Sequence, residues 1–285
     1  MLTGHKIAFV GTGIMAESMI RGLLDKKLVE PDQIWGSNPL ADRNDEIASR
    51  YGISVTESNR QAVDGASIVV LATKPQAVHH VFKDLRGAMP MESLLLSICA
   101  GVPIAALQQG LGQSAVCRSM PNTPAQIGMG MTVWTATKEV SDVRKEQARL
   151  VFASLGQEVY LEDEEYLDMA TALSGSGPAY IFLLMEAMID AGVHMGFSRR
   201  VAHDLVMQTL AGSVEYAAQS GRHPAELKNQ VTSPGGTTAE ALYRFEKGGF
   251  RTVLSRGIFA AYEKSVELGQ GFEMPESNKD RPRFI

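Results

Sequence analysis

The opening stretch, residues 1–16, limits the fold more than any other part of the chain. Residues 6–10, Lys-Ile-Ala-Phe-Val, form a short apolar run of the kind a strand buried on both faces requires. Gly11-Thr12-Gly13-Ile14-Met15-Ala16 follows at once, and Met15, Met19, Ile20, Leu23 and Leu24 then recur at helical spacing. Strand, glycine loop and helix in that order carry the pattern G-x-G-x-x-A. Gly11 permits the tight turn, and Gly13 lets a pyrophosphate approach the backbone. Ala16 stands where a small residue suffices for helix–strand packing. A dinucleotide is therefore expected on Gly11, Thr12, Gly13, Ile14, Met15 and Ala16. The alternative is a glycine-rich turn in some other α/β fold.

The end of the next strand, residues 33–36, bears on which dinucleotide. An NAD site usually has a carboxylate there for the ribose hydroxyls. This chain offers Ser37 and Asn38, with Arg43 a few residues on. Hydroxyl, amide and guanidinium donors suit a 2′-phosphate, so NADPH is expected over NADH, with NADH still possible. Asp42 is the dissenting carboxylate, and it fits the first turn of the next helix, where the macrodipole favours it.

Strand and helix then alternate. Residues 41–50 read as a helix stopped by Gly52, and 53–56 as a strand. Asn59 starts a short helix, either as a cap or as a contact to the adenosine end of a cofactor. Residues 67–72 form a buried strand ending in Ala72, and Lys74-Pro75 then lies at the carboxyl edge of the sheet, where α/β ligands bind. Further strands are expected at 93–98, 115–120, 131–135 and 158–161, with a long helix at 140–155. The result is a Rossmann-like, doubly wound and mostly parallel sheet.

After residue 161 strands disappear. Helical patterns run through 166–173, 179–195, 198–219, 224–228, 237–247 and 250–268, with Gly175-Ser176-Gly177-Pro178 separating the first two. The chain thus divides into a dinucleotide-binding domain at 1–161, an all-α domain at 162–270 and a frayed tail at 271–285. Residues 179–195 are apolar nearly all round and need cover on every side. A half-domain of this size gives little depth for that, so a second copy is expected to supply it in a homodimer.

The net charge of −5 gives no electrostatic case for nucleic acid or an anionic membrane. No uncharged apolar run approaches the ~20 residues of a span, since Glu186 and Asp190 interrupt the best candidate. The N-terminus enters a strand directly, without a signal peptide, and Cys99 and Cys117 read as buried small hydrophobes. These features point to the cytoplasm. The six histidines have no metal-ligand spacing, and no metal is expected.

In the helical half, Ser233-Pro234-Gly235-Gly236-Thr237-Thr238 runs straight into a helical pattern. Small residues there leave the N–H groups of a helix start uncovered, a ready place for a carboxylate. No side chain stands out as a general acid or base. That fits a C=N substrate, which protonates more readily than a ketone.

The segment 229–242, Asn-Gln-Val-Thr-Ser-Pro-Gly-Gly-Thr-Thr-Ala-Glu-Ala-Leu, resembles the signature of the pyrroline-5-carboxylate reductase family. Residues 118–124, Lys74-Pro75 and residues 173–180 match the family in order and spacing. The resemblance covers almost the whole chain apart from the tail. It implies NAD(P)H-dependent reduction of 1-pyrroline-5-carboxylate to L-proline. Gly11 to Ala16, Ser37, Asn38, Asn59, Ala72, Lys74 and Ala100 would fall at cofactor positions. Gly236, Thr237 and Thr238 would hold the substrate carboxylate, Thr238 would orient the imine as the catalytic residue, and Glu164 would lie near the substrate. Dimers interlocked through the helical domain, and larger rings such as decamers, are also implied. Two rival readings are a related two-domain imine or β-hydroxyacid dehydrogenase, for which Asp168 is the one candidate in the interdomain region, and a non-catalytic NADPH sensor.

Overall fold

Eight strands form one sheet in the computed structural model, which describes residue 2 and residues 4–272. They are β1 Ile7–Val10, β2 Ile34–Ser37, β3 Ser54–Thr56, β4 Ile68–Leu71, β5 Leu94–Ser97, β6 Val116–Met120, β7 Gly130–Ala136 and β8 Gly156–Tyr160, hydrogen-bonded in the order β3-β2-β1-β4-β5-β6-β7-β8. Each lies within a residue or two of its expected place. Strands β1 to β6 are parallel, while β7 runs antiparallel to β6 and β8 parallel to β7. The reversal follows from chain length. Residues 121–129 are too few for the crossover of about a dozen that a parallel return needs.

The apolar strand runs arise because both faces of the sheet are covered. Ile7, Phe9, Ile68 and Val70 pack into one core with Met19, Ile20 and Leu23 of α1 (Ile14–Asp25) and with Val151 and Phe152 of α6 (Asp142–Ala153). Ala8, Val10, Val69 and Leu71, pointing the other way, join Val81, Phe82 and Leu85 of α4 (Val78–Leu85) and Leu107 of α5 (Ile104–Leu111). Each such side chain contributes roughly 1.5–3 kcal/mol of burial. The remaining helices of this part are α2 (Ala41–Tyr51) and α3 (Asn59–Val63).

The rest is helical: α7 Tyr166–Ala170, α8 Gly177–His194, α9 Arg199–Ser220, α10 Pro224–Gln230, α11 Thr237–Lys247 and α12 Phe250–Gln270. The expected break at residues 175–178 is absent. Thr171–Gly175 forms a π turn closed by the bond from Ser176 N–H to Thr171 O (2.8 Å), so one helical rod runs from Tyr166 to His194. Pro178 has no N–H for the carbonyl four residues back, that of Ser174. The Asn122 amide donates to that carbonyl instead, at 3.1 Å. The unbroken rod is long and apolar enough, by length and composition, to cross a membrane, a property that dividing it at the Gly-Ser-Gly-Pro turn conceals.

Among the described residues, one compact unit holds those up to Ser176 together with 261–272, and the other is Gly177–Ala260. The change of composition at 161/162 therefore precedes the division in space. Helix α7 is bonded to the sheet through Arg118 and to the end of α12 through Ser265, which keeps both with the first unit. In the second unit α8 lies close on α9, with Gly192 opposite Ala202, while Phe182, Leu183, Val214 and Val253 are exposed. Of the tail expected at 271–285, residues 273–285 lie outside the described residues.

Candidate functional site

The sheet order reverses at β1, which has β2 on one side and β4 on the other. The crevice beyond the carboxyl ends of strands at such a reversal is where doubly wound sheets take ligands. The loop after β1 enters it. Gly11 has φ +95°, and a Cβ there would stand 2.8 Å from the carbonyl oxygen of Ala72, so only glycine brings the loop this close to the end of β4. Gly13 caps α1 in an extended conformation with no side chain over the helix start, and a Cβ on it would meet nothing within 4 Å. The first-turn N–H groups thus face open space, as a pyrophosphate requires. Ala16 is buried against the sheet, Met15 half-buried and Ile14 exposed.

The other expected cofactor positions follow the carboxyl ends of neighbouring strands. Ser37 ends β2, Ala72 and the exposed Lys74 follow β4, and Ala100 follows β5. Asn59 opens α3 close by, but its cap is Ser58, whose hydroxyl accepts from Gln61 N–H. Asn59 itself accepts from the Ser37 hydroxyl (2.8 Å) and donates to Asp84 (3.0 Å).

The three donors expected for a 2′-phosphate are not equally free. Ser37 is fully buried, with its hydroxyl on Asn59. Asn38 donates to Thr12 Oγ1 (3.1 Å) and accepts from Leu40 N–H (3.0 Å). Arg43 donates from Nε to the Thr12 carbonyl (2.9 Å) and from its two terminal nitrogens to Glu46 and Glu17, each at 2.6 Å. Of its five N–H groups, two lie outside those bonds. Partial burial works to raise the Glu17 carboxyl, but hydrogen bonds from Arg43 and Tyr51 outweigh it and hold the group below the ordinary carboxylate range.

Glu164, expected near a substrate, bonds within the first unit. Its Oε1 accepts from Ile104 N–H at the start of α5 (2.8 Å) and from Arg118 (2.6 Å). Arg118 is 5% exposed and also approaches Asp168 (3.5 Å), which accepts from the Ser265 hydroxyl (2.8 Å). Arg118, the centre of this cluster, is not among the expected site residues. The signal was available, because an arginine inside a buried strand needs paired acids. Asp168, the acid a β-hydroxyacid dehydrogenase would use, is held in the same cluster.

In the second unit, residues 233–236 turn tightly ahead of α11. Gly235 has φ +69°, and Gly236 N–H bonds to Ser233 O (3.0 Å). Gly236 is the N-cap of α11, extended, with no side-chain bond over the helix start. Thr237 and Thr238 follow as the first two helical residues. Gly236, Thr237 and Thr238 are thus together at one open helix end, carrying free N–H groups and two hydroxyls.

Residues 164–268 match the family model for pyrroline-5-carboxylate reductase dimerisation, and residues 6–101 the one for coenzyme F420-dependent NADP oxidoreductase. The chain is 44% identical over 266 residues to a pyrroline-5-carboxylate reductase of Pseudomonas aeruginosa, a match covering 93% of this chain and 97% of that one. The solved structure of a pyrroline-5-carboxylate reductase from Coxiella burnetii is similar at TM-score 0.86 and 33% identity, over 93% and 98% of the two chains. That of the Plasmodium falciparum enzyme with NADP bound is similar at TM-score 0.85 and 32% identity, again over 93% and 98%.

Proposed function

The chain belongs to the pyrroline-5-carboxylate reductase family, NAD(P)H-dependent enzymes of proline biosynthesis, and we propose that it holds its substrate acid at the start of α11. The reaction is the reduction of 1-pyrroline-5-carboxylate to L-proline. The observation that carries the site is the uncapped helix end at Gly236, Thr237 and Thr238, inside the segment matched by the family's dimerisation model.

The loop after β1 fits the cofactor, since its glycines leave both the close approach and the open helix start that a pyrophosphate needs. When bound, the reduced nicotinamide supplies a hydride to the C=N carbon of the ring. The residues of this chain bind and orient. The N–H groups of α11 take the carboxylate, where the macrodipole favours an anion. Thr238 hydroxyl meets the ring nitrogen and fixes the face of the imine. Orientation of this kind lowers a barrier by up to roughly 7–11 kcal/mol for well-placed reactants. Glu164 holds α5 and Arg118 in place, and the resemblance puts it near the substrate. Lys74, Asn59, Ala72 and Ala100 are assigned to the cofactor, and Arg43 to the 2′-phosphate of NADPH.

The exposed apolar side chains of α8 are assigned to a homodimer, with the decamer implied by the resemblance as a further assembly of such dimers. We place the chain in the cytoplasm, where its two buried free thiols stay reduced.

Steady-state kinetics of Thr238→Ala and Thr238→Ser test the site. The alanine variant is expected to raise KM for the imine acid and to lower kcat, with NADPH affinity intact and activity largely restored by serine. An unchanged kcat/KM in the alanine variant would remove Thr238 from the reaction.

A further inference from the structure

We propose that Glu46 competes with the 2′-phosphate of the cofactor for Arg43, and so limits how sharply this chain prefers NADPH to NADH. The inference rests on the reading that Arg43 is the group facing that phosphate.

Arg43 lies in the first turns of α2, just past the carboxyl end of β2, with its side chain 20% exposed. Two carboxylates hold it, and they are unlike. Glu17 is the inner one, 16% exposed, and it also accepts from Arg50 and from Tyr51 (2.8 Å). Three donors and partial burial fix it. Glu46 is the outer one, 44% exposed, three residues along the same helix as Arg43, and its other partner is Arg50 (2.7 Å), itself half-exposed. Glu17 therefore anchors the guanidinium, while Glu46 can be displaced.

Charge makes the competition matter. Arg43, Arg50, Glu17 and Glu46 together carry no net formal charge. A phosphate arriving here meets a neutralised guanidinium. Ser37 does not compensate, because its hydroxyl is directed at Asn59, and Asn38 already gives one of its two amide N–H groups to Thr12. Arg43 and Glu46 both line one open depression, with Pro39, Leu40, Ala41 and Asp42. The phosphate and Glu46 thus share one guanidinium, and like charges repel across that space. A cofactor with a free 2′-hydroxyl suffers no such repulsion.

The test is calorimetric binding of NADP+, NAD+ and 2′-AMP to the cofactor-free full-length enzyme and to two variants. In Glu46→Gln the amide keeps an acceptor for Arg43 but loses the charge. NADP+ and 2′-AMP are expected to bind roughly three- to fivefold tighter, with NAD+ unchanged, as befits an exposed ion pair. The gain should shrink as salt is raised. The kcat/KM ratio of NADPH to NADH should rise by the same factor. In Arg43→Met, NADP+ and 2′-AMP are expected to weaken about tenfold or more relative to NAD+. If Glu46→Gln leaves NADP+ unchanged or weaker while Arg43→Met selectively weakens it, competition is overturned and the role of Arg43 stands. If Arg43→Met weakens both dinucleotides alike, or neither, Arg43 does not read the phosphate and both readings fall.

Discussion

Glu164 shows how a residue expected near the substrate can also carry a structural task. Its carboxylate links the start of α5 to Arg118, and Arg118 links the sheet to α7. Glu164→Gln keeps an acceptor for Ile104 N–H and for Arg118 but loses the charge, which leaves Asp168, at 3.5 Å, as the ionic partner of the buried guanidinium. Exchanging a charge-assisted hydrogen bond for a neutral one costs about 1 kcal/mol. The variant is therefore expected to unfold at lower denaturant concentration, with KM for the imine acid within about twofold of the parent, a spread that so small a rearrangement allows. Unchanged stability together with a large rise in KM would instead make Glu164 a substrate ligand. The sequence showed which residue types stand at these positions. It did not show that Ser37 faces inward or that Arg43 is already held by two acids, because both depend on side chains from helices far apart in the chain.

Among the elements, α8 carries the clearest unmet demand. It is apolar on most of its surface, and Phe182 and Leu183 are more than half exposed. Leu183→Asp is expected to leave the single chain folded, since an exposed position tolerates the change within roughly 0.5 kcal/mol. It should shift a dimeric parent toward monomer in sedimentation equilibrium, and a parent already monomeric would overturn the dimer. The strands were legible because continuous apolar runs between glycine and proline turns have one reading in a sheet covered on both faces. The helical apolar faces were legible from their spacing. The reversal of β7 was not, since a short loop fixes direction only once the strands beside it are known. Nor was the continuity of the rod from Tyr166 to His194. A Gly-Ser-Gly-Pro sequence normally ends a helix, and here a π turn and the Asn122 amide, more than fifty residues upstream, satisfy the backbone that Pro178 leaves open.

In the molecule as a whole, two helix starts carry the account. That of α1, beside the point where the sheet order reverses, is the proposed place of the pyrophosphate, and that of α11 the proposed place of the carboxylate. Both have a glycine N-cap with no side-chain cap bond, so the same backbone physics suits an anion at either. Arg43 steadies the loop before α1 through its bond to the Thr12 carbonyl. The most direct test is a crystal structure of the enzyme with NADP+ and L-proline. The account predicts the proline carboxylate on the N–H groups of residues 236–238, with Thr238 hydroxyl on the ring nitrogen and the nicotinamide against the ring. Proline bound elsewhere, with those residues empty, would contradict it.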